Sequence, residues 1–290
     1  MSPTLNPTAV QDIGREPLGT VTPAGALRCL LGILWREGLR FVHQRTRFIS
    51  ALVRPLVWLF IFAAGFRSVL GVSIIPPYET YILYDEYIVP GLIAMIQLFN
   101  GMQSSLSMVY DREMGSMRVL LTSPMPRWFL LAARLLAGTL LSLPQVYVFL
   151  LIARLWGIEP PPMGYLTVLP ALVLSGLMLG ALGLLLSSAI RQLENFAGVM
   201  NFVIFPMFFA SSALYPLWKV EEASPLLRDV CGLNPFTYAV ELVRFALYGQ
   251  VDTQSLLLVL AFAVVFLGGA ILAYDPARGL VARVRGPGAG

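Results

Sequence analysis

Residues 87–110 read YIVPGLIAMIQLFNGMQSSLSMVY, a run without a single Asp, Glu, Lys, Arg or His. The Asp85-Glu86 pair lies just before it and Asp111 closes it. At about 1.5 Å of rise per residue, a helix of this length crosses the ~30 Å hydrocarbon core of a bilayer. A charge at mid-bilayer costs about 2.5–3.5 kcal/mol even on insertion scales, so a run this clean reads as a transmembrane helix.

Working outward, the same pattern recurs at 135–153, within 160–190, at 195–218 and at 253–274. A further apolar stretch, 55–66, lies between Arg54 and Arg67 and provides only about 18 Å of helix. It becomes a span if both arginines reach toward opposite headgroup layers. The composition agrees: 57% of the 290 residues are hydrophobic, only 12% are charged, and the mean hydropathy is +0.75. Soluble domains carry roughly 25% charged residues. The fold expected is an all-α membrane protein with six transmembrane helices, occupying 48–274 as one domain.

The basic residues set the orientation, because they concentrate in short loops on the cytoplasmic side. With a cytoplasmic N-terminus, only Arg67, Arg154, Lys219, Arg228 and Arg244 fall outside, and every other arginine falls inside. Both termini are therefore expected in the cytoplasm. This asymmetry also accounts for the net charge of +4 without nucleic acid. Residues 22–47 read as an amphipathic helix, with Thr22 and Pro23 as cap and first residue. Leu27, Leu30, Leu31, Leu34, Phe41 and Val42 recur at helical spacing, while Arg36, Arg40, Gln44 and Arg47 take another face. Such a helix suits the headgroup layer. Residues 1–21 lack an apolar h-region, so a cleavable signal peptide is not expected, and they read as a disordered cytoplasmic tail. Residues 275–290 read as a second cytoplasmic tail. The connection 217–252 is too apolar for a free loop. Starts at Pro225 and Pro235, with Phe236, Val240, Val243 and Leu247 at helical spacing, predict a pair of short re-entrant helices between spans five and six.

Residue chemistry excludes several functions. A P-loop requires Gly-Lys-Ser/Thr, and the one lysine, Lys219, sits between Trp218 and Val220. Cys29, Cys231 and His43 offer no metal-ligand spacing, so no metal site is expected. Asp85 and Glu86 are neighbours in sequence and do not share a helical face, which is poor geometry for an acid–base pair. Spans two to six carry no central charge, which weighs against a proton-coupled carrier. Gln97, Asn100, Ser104 and Ser107 form a polar seam, and Gly176, Gly180, Gly183 and Ser187 a small-residue face, both suited to helix packing. Trp58, Phe62 and Phe66 line one face of span one. Asn201, Phe205, Phe208 and Phe209 crowd span five. These aromatics are either packing and lipid contacts or the wall of a groove for an amphipathic solute.

Two segments carry a resemblance. Tyr110-Asp-Arg-Glu-Met-Gly-Ser-Met-Arg-Val-Leu-Leu-Thr-Ser-Pro-Met-Pro126 resembles the cytoplasmic element after span two of ABC-2 type permeases. Ser211-Ser-Ala-Leu-Tyr-Pro216, followed by Asn234-Pro-Phe-Thr-Tyr-Ala-Val-Glu-Leu-Val-Arg244 and Gly249, resembles the outer segment between spans five and six of the same family. The resemblance implies a permease subunit of an exporter in a bacterial inner membrane. It implies a dimer of permeases driven by separate ATPase subunits that bind the ATP, so the chain itself needs no cofactor. Asp111, Arg112, Glu113, Gly115 and Arg118 would couple to the ATPase. Trp58, Phe62, Phe66, Asn201, Phe205 and Phe208 would line the pathway. Asn234, Pro235 and Arg244 would cap the outer exit. Within the family the chain looks most like permeases encoded beside quinoprotein alcohol oxidation systems. The competing readings are a stand-alone carrier or channel, a membrane enzyme, and a structural subunit of a larger complex.

Overall fold

The computed structural model describes residues 23–43, 45–66, 71–72, 76–78, 82–113, 126–190 and 192–273. Among them the chain forms α1 (Pro23–His43), α2 (Arg45–Phe66), β1 (Gly71–Val72), β2 (Ile82–Leu83), α3 (Tyr84–Glu113) and α4 (Arg127–Leu155). It continues through α5 (Gly164–Ala189), α6 (Leu193–Phe209), α7 (Leu217–Ala223), α8 (Pro225–Leu233), α9 (Pro235–Leu247) and α10 (Thr253–Ala273).

Four of these helices, α3, α4, α5 and α10, are long and apolar enough to cross a membrane. The apolar parts of the other two expected spans are shorter, Leu52–Phe62 in α2 and Leu193–Phe209 in α6. The described residues are mostly helical, and one short ladder accompanies the helices. An antiparallel ladder pairs Gly71 with Leu83 and Val72 with Ile82, bringing the connection from α2 back to the start of α3. Within the segment 22–47 expected as an amphipathic helix, α1 covers Pro23–His43, residue 44 lies outside the described residues, and α2 is described from Arg45. Arg54 consequently sits near the middle of α2 and does not flank a shorter helix at its end.

The core is built around α3. Of its membrane-length segment 67% is buried, against 11% for α10, so α3 is the central post and α10 a peripheral one. α3 packs most extensively on α5, and α5 in turn on α10. The small-residue face of α5 explains the close approach. A Cβ on Gly101 would meet the Gly180 Cα at 2.8 Å, and one on Gly183 would meet the Gly101 carbonyl oxygen at 3.0 Å. Only glycine allows two helix backbones to come this near.

The polar seam of α3 bonds to α5 through Gln97 and to α4 through Asn100 and Ser107. Gln97 Nε2 donates to the Leu172 carbonyl at 2.6 Å, and the Ser175 hydroxyl donates to Gln97 Oε1 at 2.6 Å. Asn100 Nδ2 donates to Gln145 Oε1 at 2.5 Å, and Arg134 Nη2 to Ser107 Oγ at 2.9 Å. The free space enclosed beside these residues is about 10 Å³, room for at most one water. The seam is a packing interface with no passage through it.

α9 is fixed at its C-terminal end by the start of α5. A Cβ on Gly164 would lie 2.0 Å from the Leu247 carbonyl oxygen, so the start of α5 touches the end of α9. The Thr167 hydroxyl donates to the Ala246 carbonyl at 2.6 Å, satisfying one of the terminal carbonyls of α9. The connection expected to hold a pair of short helices holds three, α7 being the addition.

Candidate transport surface

α2 and α6 bring their aromatic residues together. The side chain of Trp58 stacks on Phe62 with centroids 5.3 Å apart and meets Phe208 at 6.1 Å and Phe209 at 5.8 Å. Phe205 stacks on Phe209 at 6.5 Å. Phe62 reaches Tyr84 at 6.0 Å, and Phe60 reaches Trp156 at 4.7 Å. These contacts place the Phe66 end of α2 beside the start of α3 and the end of α4, here called the Tyr84 end of the bundle.

Of the residues expected to line a pathway, Phe208 is fully buried and backs onto Phe236 at 6.2 Å. It forms the wall behind the surface. Phe205, Phe209 and Asn201 are exposed, and Phe202, at 79% exposure, is the most open aromatic of α6. Trp58 and Phe62 are half-buried, and Phe66 closes α2 with its side chain outside the described residues. Phe202 shares the aromatic character of its neighbours and was legible only in those terms. Arg54 was missed because a charge reads as the end of a span. The signal that finds it is its spacing, four residues before Trp58 and eight before Phe62, on the same helical stripe.

The expected cap residues come together at the Tyr84 end. Asn234 Oδ1 accepts from the Phe236 N–H at 3.0 Å, capping α9 with Pro235 at its first position. Its Nδ2 donates to the carbonyls of Met207 at 2.7 Å and Ala210 at 2.6 Å, closing the exposed end of α6. Arg244 is 2% exposed. Its Nη1 donates to Glu241 Oε1 at 2.5 Å, its Nη2 to the Ser212 carbonyl at 2.8 Å, and its guanidinium carbon lies 4.1 Å from the centroid of the Tyr87 ring. The Tyr87 hydroxyl donates to the same Ser212 carbonyl at 2.9 Å, and the Tyr84 hydroxyl to the Leu214 carbonyl at 2.7 Å. The turn leaving α6 is thereby pinned to α3 and α9 together. Gly91 completes the fit, since a Cβ there would sit 2.6 Å from that of Ala213.

At the same end, a concavity of about 320 Å³ is lined by Tyr78, Glu86, Arg154, Glu159, Tyr165 and Tyr248 among others. Burial pushes the Tyr78 phenol well above its usual range. Burial, with the charge of Glu86 adding to it, pushes that of Tyr248 to about 12. Both phenols stay neutral at physiological pH, so they offer hydrogen bonds without charge.

At the opposite end, Asp111, Arg112 and Glu113 form the last turn of α3, with side chains outside the described residues; Gly115 and Arg118 lie outside them altogether. α1 packs on α4. Ile33, Leu30 and Leu34 are half-buried, while Leu27, Leu31 and Trp35 are exposed, so α1 carries an uncovered apolar edge. Among the described residues no group of three or more His, Cys, Asp or Glu is placed to hold a metal ion.

Several membrane-length apolar helices packed around a central post define a multi-pass membrane protein, with the aromatic face of α2 and α6 on its surface. Residues 29–248 match the family model described as ABC-2 type transporter, and the chain belongs to that family. A protein of Cyanophora paradoxa named as a transport permease, ycf38, is 27% identical over 239 residues, 80% of this chain and 79% of the relative. One of Escherichia coli strain K12 named as a multidrug ABC transporter permease, YbhR, is 29% identical over 170 residues, 58% of this chain and 45% of the relative. Nodulation protein J of Rhizobium leguminosarum bv. viciae is 22% identical over 245 residues, 80% and 87% of the two chains. The chain is a transport permease of the membrane.

Proposed function

We propose that the chain is the membrane-spanning subunit of an ATP-driven exporter, with a second permease copy across a groove and separate ATPase subunits on the cytoplasmic side. The observation that carries this reading is the exposed aromatic face shared by α2 and α6 in a chain of this family. In the proposal α2 and α6 are the first and fifth of six spans, α7 to α9 are the re-entrant outer segment, and the Tyr84 end faces outward. The cytoplasmic end of α3, with Asp111, Arg112, Glu113, Gly115 and Arg118, docks on the ATPase, and the uncovered edge of α1 lies in the inner headgroup layer of a bacterial inner membrane. Phe202, Phe205 and Phe209 offer an apolar wall, which suits an amphipathic cargo. ATP binding biases two conformations of the dimer, as alternating access requires. Association with quinoprotein alcohol oxidation rests on the sequence resemblance alone.

Charge reversal at the coupling segment tests the proposal. Glu113→Arg is expected to insert normally and to hydrolyse ATP with its partner, while ATP-driven transport in proteoliposomes is lost. Transport at the wild-type rate by that variant removes Glu113 from the coupling surface.

A further inference from the structure

We infer that Arg54 is an anion-binding residue of the transport surface, and that the cargo is an amphiphile carrying an acidic group, a carboxylate, sulfonate or phosphate. The inference rests on the proposed groove along α2 and α6 and deepens it.

Depth is the first ground. α2 runs from Arg45 to Phe66, and its apolar part is Leu52–Phe62, with Arg54 inside it. The Arg54 guanidinium turns toward α3. It sits 3.8 Å from the centroid of Phe99, and Phe99 lies near the middle of α3. An arginine at this depth is costly and is kept for a reason, most often a path for solute or ion.

Accessibility is the second ground. The residue is exposed, with Val53 and Val57 beside it also exposed. Among the described residues, the ring of Phe99 is the group recorded against its guanidinium; none of the carboxylates there forms an ion pair with it. A cation–π contact holds the flat face of a guanidinium and leaves its N–H edge available for hydrogen bonds. That edge presents a planar fork suited to the two oxygens of an acid.

Position along the stripe is the third ground. Arg54, Trp58 and Phe62 succeed one another at four-residue spacing, so the cation terminates the aromatic stack on the side away from the Tyr84 end. On α6, Asn201 is exposed one turn beyond Phe205 in the same direction. An amphiphile with its chain along Trp58, Phe205 and Phe209 would set its acidic end against Arg54. Phe99 is then a positioning residue, since it fixes the plane of the guanidinium.

The test uses the complete transporter in nanodiscs, and 11-(dansylamino)undecanoate as probe beside its neutral primary amide. Energy transfer from protein tryptophan to dansyl reports binding, with Trp58 one turn from the site. The acid is expected to give a saturable signal that the amide lacks. Arg54→Gln should weaken the acid at least about tenfold, the effect of losing a charged hydrogen bond, and leave the amide unchanged. Arg54→Lys should restore part of the affinity, and thermal stability should stay at the wild-type value. Equal binding of acid and amide by the wild type, or unweakened binding of the acid by Arg54→Gln, overturns the inference. So does equal loss of stability in Arg54→Gln and Phe99→Leu with no change in charge preference, which would make the pair a structural clamp. Co-purification of an ATPase reads the exporter proposal separately, because the acid–amide comparison stands whether or not the ATPase accompanies the permease.

Discussion

Arg244 ties three segments of the chain at one point. It pairs with Glu241 on its own helix, donates to Ser212 in the turn after α6, and covers the ring of Tyr87 on α3. Replacing it by alanine removes one of the two donors to the Ser212 carbonyl and strands a partly buried carboxylate, and breaking such a pair costs about 3 kcal/mol. Arg244→Ala is expected to lower the unfolding midpoint of the detergent-solubilised protein sharply, and Arg244→Lys to recover only part, because an ammonium lacks the fork. An unchanged midpoint for Arg244→Ala would show that the knot is not structural. Asn234→Ala removes one cap bond and two carbonyl contacts, with an expected cost of about 1 kcal/mol or more, read from the same melting curve. The helix start at Pro235 was legible in the sequence because proline in a first turn is a local signal, whereas the side-chain cap by Asn234 was not read. The burial of Arg244 was not, because Ser212 and Tyr87 are distant in the chain, and a lone arginine near an outer loop reads as a solvated rim charge.

Among the elements, α3 and α5 depend on small residues where they cross. Gly101→Ala places a Cβ against the Gly180 backbone, and backbone cannot rotate away as a side chain can. The expected loss is about 1–3 kcal/mol of stability. Gly198→Ala, at a position with nothing within 4 Å of its Cβ, should be neutral or slightly stabilising in the same melting assay. Equal effects from the two substitutions would contradict this packing. Helical spacing made the small-residue face and the polar seam readable, although not the identity of the partner helix. α2 was the element read least well. Its charge-free stretch ends at Arg54, yet the helix continues to Arg45, and the Arg54 guanidinium lies against the ring of Phe99 on α3. The β1–β2 ladder escaped notice since two paired residues on each side leave no periodicity to find.

For the whole molecule, the arginine distribution and the fold make one topological prediction. In a chain cleared of Cys29 and Cys231, Glu222→Cys on α7 should react with an impermeant maleimide in spheroplasts, and Glu194→Cys at the start of α6 only after lysis. The opposite pattern would invert the protein and the proposed export geometry with it. The match to the ABC-2 type transporter family covers residues 29–248, so α2 to α6 and the segment α7 to α9 lie within one family domain. The most direct test of the proposed transport unit is its composition. Purified from its native membrane by a C-terminal tag, the chain is expected to elute in a native mass spectrum as two permeases with two P-loop ATPases, and to move solute in liposomes only with ATP. A lone chain that moves solute without ATP would contradict the account and make the protein a self-sufficient carrier.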